Sequence, residues 1–284
     1  MIDCLRSLLR PVFCLPGAAA LVALALSTGA AAQTVSVNAN AALATPAAAA
    51  ASASSMSSRV LACTACHGKE GRATPDGYFP RIAGKPAGYL ANQLLNFRDG
   101  RRSYPQMTYL IEHLTDDYLR EMAEHFAALD LPYPPPPAPQ APPAALAQGR
   151  QLVQQGDAAR RIPACVSCHG SAMTGVAPSI PGLLGLPRDY LNSQLGAWKT
   201  GQRRAHAPDC MADIARQLTP DDVSAVSAWL AAQPVAAGGK PARTLPAAMP
   251  ARCGGVAEVP VAASSATATG SAPAVGAAAS AAAR

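Results

Sequence analysis

Apolar positions recur every three or four residues through most of this chain, and strictly alternating apolar and polar runs are nearly absent, so the pattern predicts helices and little strand. Leu119, Met122 and Phe126 form one such stripe behind Thr115-Asp116-Asp117, and Val223, Val226 and Leu230 form another behind Thr219-Pro220-Asp221-Asp222. Each stripe follows a helix start: a threonine placed to cap free N–H groups, and acidic residues at the positive end of the helix dipole. Pro220 suits the first helical position of the second. Both apolar faces are expected to pack inward. Ala144 to Gln155 is a further helix candidate, with Gly149 permitting close approach of a neighbour, whereas its first-half counterpart around Met56 to Ala62 is shorter.

The helical pattern breaks in four places, and these breaks divide the chain. Arg6 and Arg10 precede an apolar segment from Pro11 to about Leu26, then Ser-Thr-Gly-Ala-Ala-Ala before Gln33. Residues 1–32 therefore read as a secretory signal cleaved after Ala32. The apolar core is shorter than the roughly 20 residues a spanning helix needs, so a soluble exported protein is expected; an uncleaved membrane anchor is the competing reading. Residues 33–55 and 235–284 are dominated by small residues and predict disorder. Residues 132–143 are proline-rich and predict a semi-rigid connector between two ordered units, 56–131 and 144–234.

The two units repeat one another. Pro80-Arg-Ile-Ala-Gly84 aligns with Pro181-Gly-Leu-Leu-Gly185, Tyr89-Leu90-x-x-Gln93-Leu94 with Tyr190-Leu191-x-x-Gln194-Leu195, and Phe97-x-x-Gly100-x-Arg102 with Trp198-x-x-Gly201-x-Arg203. After a three-residue insertion in the second unit, Met107 falls opposite Met211 and Leu114-Thr115 opposite Leu218-Thr219. A scaffold shared over this length is a tandem duplication. Each unit alone is too small to bury much core and needs something further to pack against.

The repeat also carries chemistry. Cys63-Thr-Ala-Cys66-His67 and Cys165-Val-Ser-Cys168-His169 lie 102 residues apart, and neither pair follows the β-branched apolar run that a redox dithiol would want. Two thiols three positions apart match the two vinyl groups of one haem, and the following histidine offers its imidazole to the iron, so the pattern predicts two covalent c-type haem groups on Cys63, Cys66, Cys165 and Cys168 with His67 and His169 as axial ligands. Zinc binding and thiol-disulfide exchange are the competing uses of Cys-x-x-Cys. Neither explains a histidine after both pairs.

For the opposite face of each iron, methionines are selected by repeat position. Met173 follows His169 too closely to cross the ring, Met122 sits on an apolar helical stripe, and Met56 and Met249 flank segments predicted to be disordered. Met107 and Met211 are the pair at equivalent positions and are expected to be the sixth ligands. His206 and Cys210 compete for the second iron but have no first-half counterparts; His113 and His125 read as surface or satisfied helix residues. Cys210 and Cys253 are the thiols left over in an oxidising compartment and are expected to pair.

With these features together, residues 58–234 resemble the dihaem cytochrome c4 family. The resemblance implies an all-α fold of two tandem class I cytochrome c domains in a periplasmic electron carrier. It also implies carbonyls at Pro80 and Pro181 that orient the two imidazoles, and pockets lined by Tyr89, Phe97, Tyr190 and Trp198. Arg102 and Arg203 are candidate propionate partners, with solvated loop charges as the favoured reading. Two strong ligands leave an iron no open position, so single-electron transfer is expected, between a quinol-oxidising complex or dehydrogenase and a terminal oxidase. Membrane contact is expected only through such partner complexes. A dihaem peroxidase or sulfur-compound dehydrogenase, supported by Cys210 alone, and a subunit held by a membrane dehydrogenase are the rivals. Loss of the signal leaves 21 basic and 16 acidic side chains, too mild a balance to predict nucleic acid as a partner.

Overall fold

The computed structural model describes residues 55–236, 238–257 and 259–262. The predicted signal and most of the segment after it lie outside the described residues. The first unit comprises α1 (Met56–Arg59), α2 (Leu61–His67), a 3-10 turn (Lys69–Gly71), α3 (Ala87–Arg98), α4 (Pro105–Ile111) and α5 (Asp116–Ala128). The second comprises α6 (Pro143–Gln154), α7 (Val166–His169), β1 (Gly175–Val176), β2 (Ile180–Pro181), α8 (Arg188–Thr200), α9 (Cys210–Gln217) and α10 (Pro220–Ala231). β1 and β2 pair antiparallel. The all-α expectation holds, with this two-residue ladder as a local addition.

Both predicted helix starts form. The Thr115 hydroxyl accepts from the Tyr118 N–H at 3.3 Å. At α10 the cap is reciprocal: Thr219 Oγ1 accepts from the Asp222 N–H at 3.1 Å and Asp222 Oδ2 accepts from the Thr219 N–H at 2.8 Å. Asp222 also joins helices, accepting from Gln148 on α6 at 2.8 Å and from the Arg160 guanidinium. Burial alone would raise its pKa, but Arg160, the Thr219 N–H and Gln148 together hold it at about 2.

The apolar stripes point inward as expected. In the first unit α3 packs on α5, burying Leu90 and Phe97 against Leu119, Met122 and Phe126. In the second, α10 lies between α6 and α8 and buries Val223, Val226 and Leu230 against Leu152, Val153 and Leu191. A fully buried Leu or Phe contributes roughly 1.5–3 kcal/mol, which makes these stripes the main apolar contribution of each unit. Gly149 is required where α6 meets α10, because a Cβ there would lie 2.2 Å from the Ala225 carbonyl oxygen.

The segments read as irregular are better ordered than their composition suggests. The connector has no helix, yet it is docked: the Arg81 guanidinium lies 3.9 Å from the centre of the Tyr133 ring and donates to the carbonyls of Leu131 and Pro132. The tail predicted to be disordered from 235 onward is packed over much of its run to Ala262. Leu245 and Val259 are buried with Val176 and Ile180, and Met249 and Val256 pack against them. Averaged composition hides four large apolar residues that share one patch. The expected Cys210–Cys253 disulfide is present and anchors the same segment. Among the described residues no helix is long and apolar enough to cross a membrane.

Candidate functional site

Each Cys-x-x-Cys-His motif ends a short helix, α2 or α7, and a glycine stops that helix directly after the histidine. Gly68 has φ +73° and Gly170 φ +82°. A Cβ at Gly68 would lie 2.3 Å from the Ala73 carbonyl oxygen, so only glycine lets the chain fold back at that point. The returning chain brings a proline carbonyl to each imidazole. His67 Nδ1–H donates to the Pro80 oxygen at 2.8 Å, and His169 Nδ1–H donates to the Pro181 oxygen at 2.8 Å. With Nδ1 committed, each ring presents its Nε2 lone pair to a metal. Burial lowers both pKa values, and nearby cations add to this, Arg102 for His67 and Lys85 for His169. Neutral imidazole is the form that ligates iron.

Cys63, Cys165 and Cys168 are in the opposite condition from reactive thiolates. Burial raises the Cys63 and Cys168 thiols, and burial with the adjacent Cys168 pushes Cys165 up to about 12. Thiol exchange uses the thiolate, so these environments disfavour that reading, and among the described residues no group of three or more His, Cys, Asp or Glu side chains is placed to hold a zinc ion.

Both motifs open on one continuous cavity of about 700 Å³, which Met107 and Met211 also line. Tyr89, Phe97, Tyr190 and Trp198 line it too, as the resemblance implied. Met122 is buried in the first apolar core and also lines the cavity, and Met173 is buried in the second core. His206 lines the cavity near Met211, whereas Cys210 is bonded to Cys253.

The reading of Arg102 and Arg203 as solvated loop charges is corrected. They are 9% and 5% exposed and form a reciprocal network across the two units. Arg102 donates to Gln93 Oε1 at 3.0 Å, Gln194 Oε1 at 2.6 Å and the Tyr190 hydroxyl at 3.0 Å. Arg203 donates to Gln194 Oε1 at 2.8 Å, Gln93 Oε1 at 2.9 Å and the Tyr89 hydroxyl at 3.5 Å. Their backbones form an antiparallel bridge. Arg102 stacks on Phe97 at 4.4 Å and Arg203 on Trp198 at 3.9 Å. The signal was present in the sequence: a duplicated surface that meets itself puts equivalent residues face to face, as in a two-fold interface.

This network fits an anionic cofactor. Every hydrogen bond the two guanidiniums make goes to a neutral amide or phenol oxygen. Trp198 Nε1 is buried with no partner and lines the same cavity. Buried like charges and an orphaned donor are costly unless an anion completes the site, and haem propionates are such anions. Lys85, which sequence reasoning passed over, reaches from the first unit to donate to the Gly182 carbonyl at 3.1 Å. Burial, with Arg81 nearby, brings it down to about 7.

Two short Cys-x-x-Cys-His helices, proline-oriented imidazoles and one apolar cavity edged by cations define a protein of the c-type cytochrome class. The Cytochrome c family profile matches residues 146–233. The chain is 37% identical over 176 residues to a thiosulfate dehydrogenase electron acceptor of Thiomonas intermedia, covering 62% of this chain and 80% of that protein. It is 32% identical over 175 residues to cytochrome c4 of Pseudomonas aeruginosa, covering 61% and 84%. Among solved structures, cytochrome c4 from Pseudomonas stutzeri matches with a TM-score of 0.52 and 27% identity, covering 62% of this chain and 95% of that one. A thiosulfate dehydrogenase from Marichromatium purpuratum matches with a TM-score of 0.54 and 36% identity; 62% of this chain is covered, but only 37% of that longer chain. The protein belongs to the dihaem cytochrome c4 family. It is an electron-transfer cytochrome with two covalently bound haem c groups.

Proposed function

We propose that the protein is an exported one-electron shuttle that takes electrons from a sulfur-compound dehydrogenase and delivers them to a terminal oxidase. One haem is held by Cys63 and Cys66 with His67 and Met107 on its iron, the other by Cys165 and Cys168 with His169 and Met211. The domain limits are those of the two repeats, 56–131 and 144–234, and export through the segment ending at Ala32 places the protein in the periplasm. The observation that carries the reading is the shared cavity, in which both histidines and both methionines stand beside a cationic network linking the two units. The bound haem supplies the redox chemistry. The protein's residues hold the imidazoles neutral, exclude water with Phe97 and Trp198, and offset propionate charge with Arg102 and Arg203. Support for the donor comes from the relative named as an electron acceptor of thiosulfate dehydrogenase.

The enzyme alternative loses its one sequence feature, because Cys210 is engaged with Cys253 and offers no thiolate to an iron. Stopped-flow mixing of the oxidised protein with a thiosulfate dehydrogenase and thiosulfate tests the proposal. Reduction of both haems only when the dehydrogenase is present is the expected result. Equally fast reduction by thiosulfate alone would overturn the carrier reading in favour of an enzyme. Intact mass after acid-acetone extraction should retain two haems, and a mass with one or none would overturn the cysteine assignment.

A further inference from the structure

The tail segment that composition marks as featureless makes a closed strap over the second unit. Its base lies on β1, where the Ala242 N–H donates to the Gly175 carbonyl at 2.8 Å and the Ala177 N–H donates to the Ala242 carbonyl at 2.8 Å. The chain then leaves and returns: the Leu245 N–H donates to the Pro260 carbonyl at 3.0 Å, and the Ala262 N–H to the Leu245 carbonyl at 2.9 Å. Leu245 is 1% exposed and seals this base against Val176 and Ile180. The Cytochrome c profile ends at 233, so the strap lies beyond the part of the chain it matches.

The far end of the strap is fastened at three points, two of them in the turn directly before Met211 and one on the first unit. Cys253 is bonded to Cys210, the residue directly before that methionine. The Gly254 N–H donates to the Pro208 carbonyl at 2.9 Å, and a Cβ on Gly254 would lie 2.1 Å from the Ala207 carbonyl oxygen. Asn92 of α3, in the first unit, donates to the Gly255 carbonyl at 2.6 Å. Met249, Cys253 and Val256 line the haem cavity together with Met211. On the other side of the turn, Asp209 accepts from the Ala205 N–H at 2.7 Å and from the Ala212 N–H at 3.1 Å. The turn that delivers Met211 is thus clamped between its own aspartate and the strap. Met107 has no such device, since its turn carries no cysteine.

We propose that Cys253, through its bond to Cys210, is a positioning residue for Met211: the strap keeps that methionine on the second haem iron and keeps outside ligands off it. The proposal rests on Met211 being the sixth ligand. Removing the crosslink, which closes a 43-residue separation, takes away the covalent fastening of the turn and shifts it toward open states. An iron that opens more often binds an added ligand more tightly in the same proportion.

The test uses the full-length ferric holoprotein, imidazole as the probe, and the C210S/C253S variant. Expected is a gain in imidazole affinity at one haem, in proportion to the added open population, a weakened far-red sulfur-to-iron band from that haem, and an unchanged first haem. Gly254→Ala retains the disulfide but collides with the Ala207 carbonyl; it should move the same readouts in the same direction, and it serves if the double variant folds poorly. Met211→Ala separates the two levels of the argument. If it leaves the band of both haems intact, the ligand assignment fails. If it abolishes one band while C210S/C253S and Gly254→Ala bind imidazole as the wild type does, the ligand assignment stands and the strap proposal is overturned.

Discussion

Replacing Asp222 by Asn removes one charge from the point where α6, α10 and the Arg160 loop are tied together, while keeping a side-chain oxygen for the cap. The carboxyl titrates at about 2 in the fold against an ordinary 3.8. At about 1.4 kcal/mol per unit, that gap is worth roughly 2 kcal/mol. Asp222 is 2% exposed, but Arg160 is 37% exposed, so salt trims this figure and does not erase it. Because the folded pKa is the lower one, the contribution is complete above pH 3.8 and is lost as pH falls from 3.8 through 2.

The assay follows from the sequence. Both tryptophans, Trp198 and Trp229, lie in the second unit, so their fluorescence reports unfolding of that unit alone. A haem bound in the cavity that Trp198 lines would quench them in the folded state, and denaturant should restore emission. D222N should unfold with about 2 kcal/mol less stability at pH 7 and about half that deficit at pH 3. A deficit under about 0.5 kcal/mol at pH 7, within the range of ordinary surface changes, would refute the reasoning. So would a deficit that stays constant between the two pH values, since the charge would then not be its source.

Three further outcomes are expected. Met107→Ala and Met211→Ala should each make one haem high-spin or water-ligated and lower that haem's potential, while the other haem's spectrum in the same sample stays unchanged. Arg102→Gln with Arg203→Gln removes both buried cations, so both potentials should fall in spectroelectrochemical titration, and proteolysis within 132–143 should accelerate as the two units separate. Lys85→Leu, which copies Leu186 at the matching position of the second unit, should lower the potential of the haem bound beside His169 by roughly tens of millivolts more than that of the other when measured below pH 7, where Lys85 is charged; equal shifts would place Lys85 too far away to discriminate.

Much of the fold was legible because its signals are local. A threonine cap, a proline at the first turn and an apolar stripe all lie within a dozen residues, so α5 and α10 could be placed from sequence. The imidazole partners were reached only through the family resemblance, since nothing near His67 or His169 marks a carbonyl 12 or 13 residues away. Arg102 and Arg203 were misjudged because their burial depends on how the two units meet, 101 residues apart in sequence and adjacent in space. The strap was missed for another reason. Composition is averaged over a window, and Leu245, Val256 and Val259 vanish among alanines although one apolar patch gathers them.

Duplication accounts for the network at the centre of the molecule, and its exceptions account for how the two haems differ. When a repeated surface packs on its own copy, each contact occurs twice: Arg102 reaches Gln194, and Arg203 reaches Gln93. A single advantageous pair before duplication therefore becomes two, and both draw toward the same cavity. Perfect repetition would make the pockets electrostatically equal and give an electron no preferred side. The repetition is broken where Lys85 faces Leu186 in the alignment, so that the cation beside His169 is a lysine from the other unit, whereas the one beside His67 is Arg102 of its own. It is broken again at Cys210, which anchors the strap over one methionine only. On the proposed ligation, a thioether clamped in place favours the reduced iron by keeping sulfur on it. The strap stands on one side alone, so C210S/C253S should lower the second haem's potential and leave the first unchanged in spectroelectrochemical titration; equal shifts at both haems would remove the strap as a source of asymmetry.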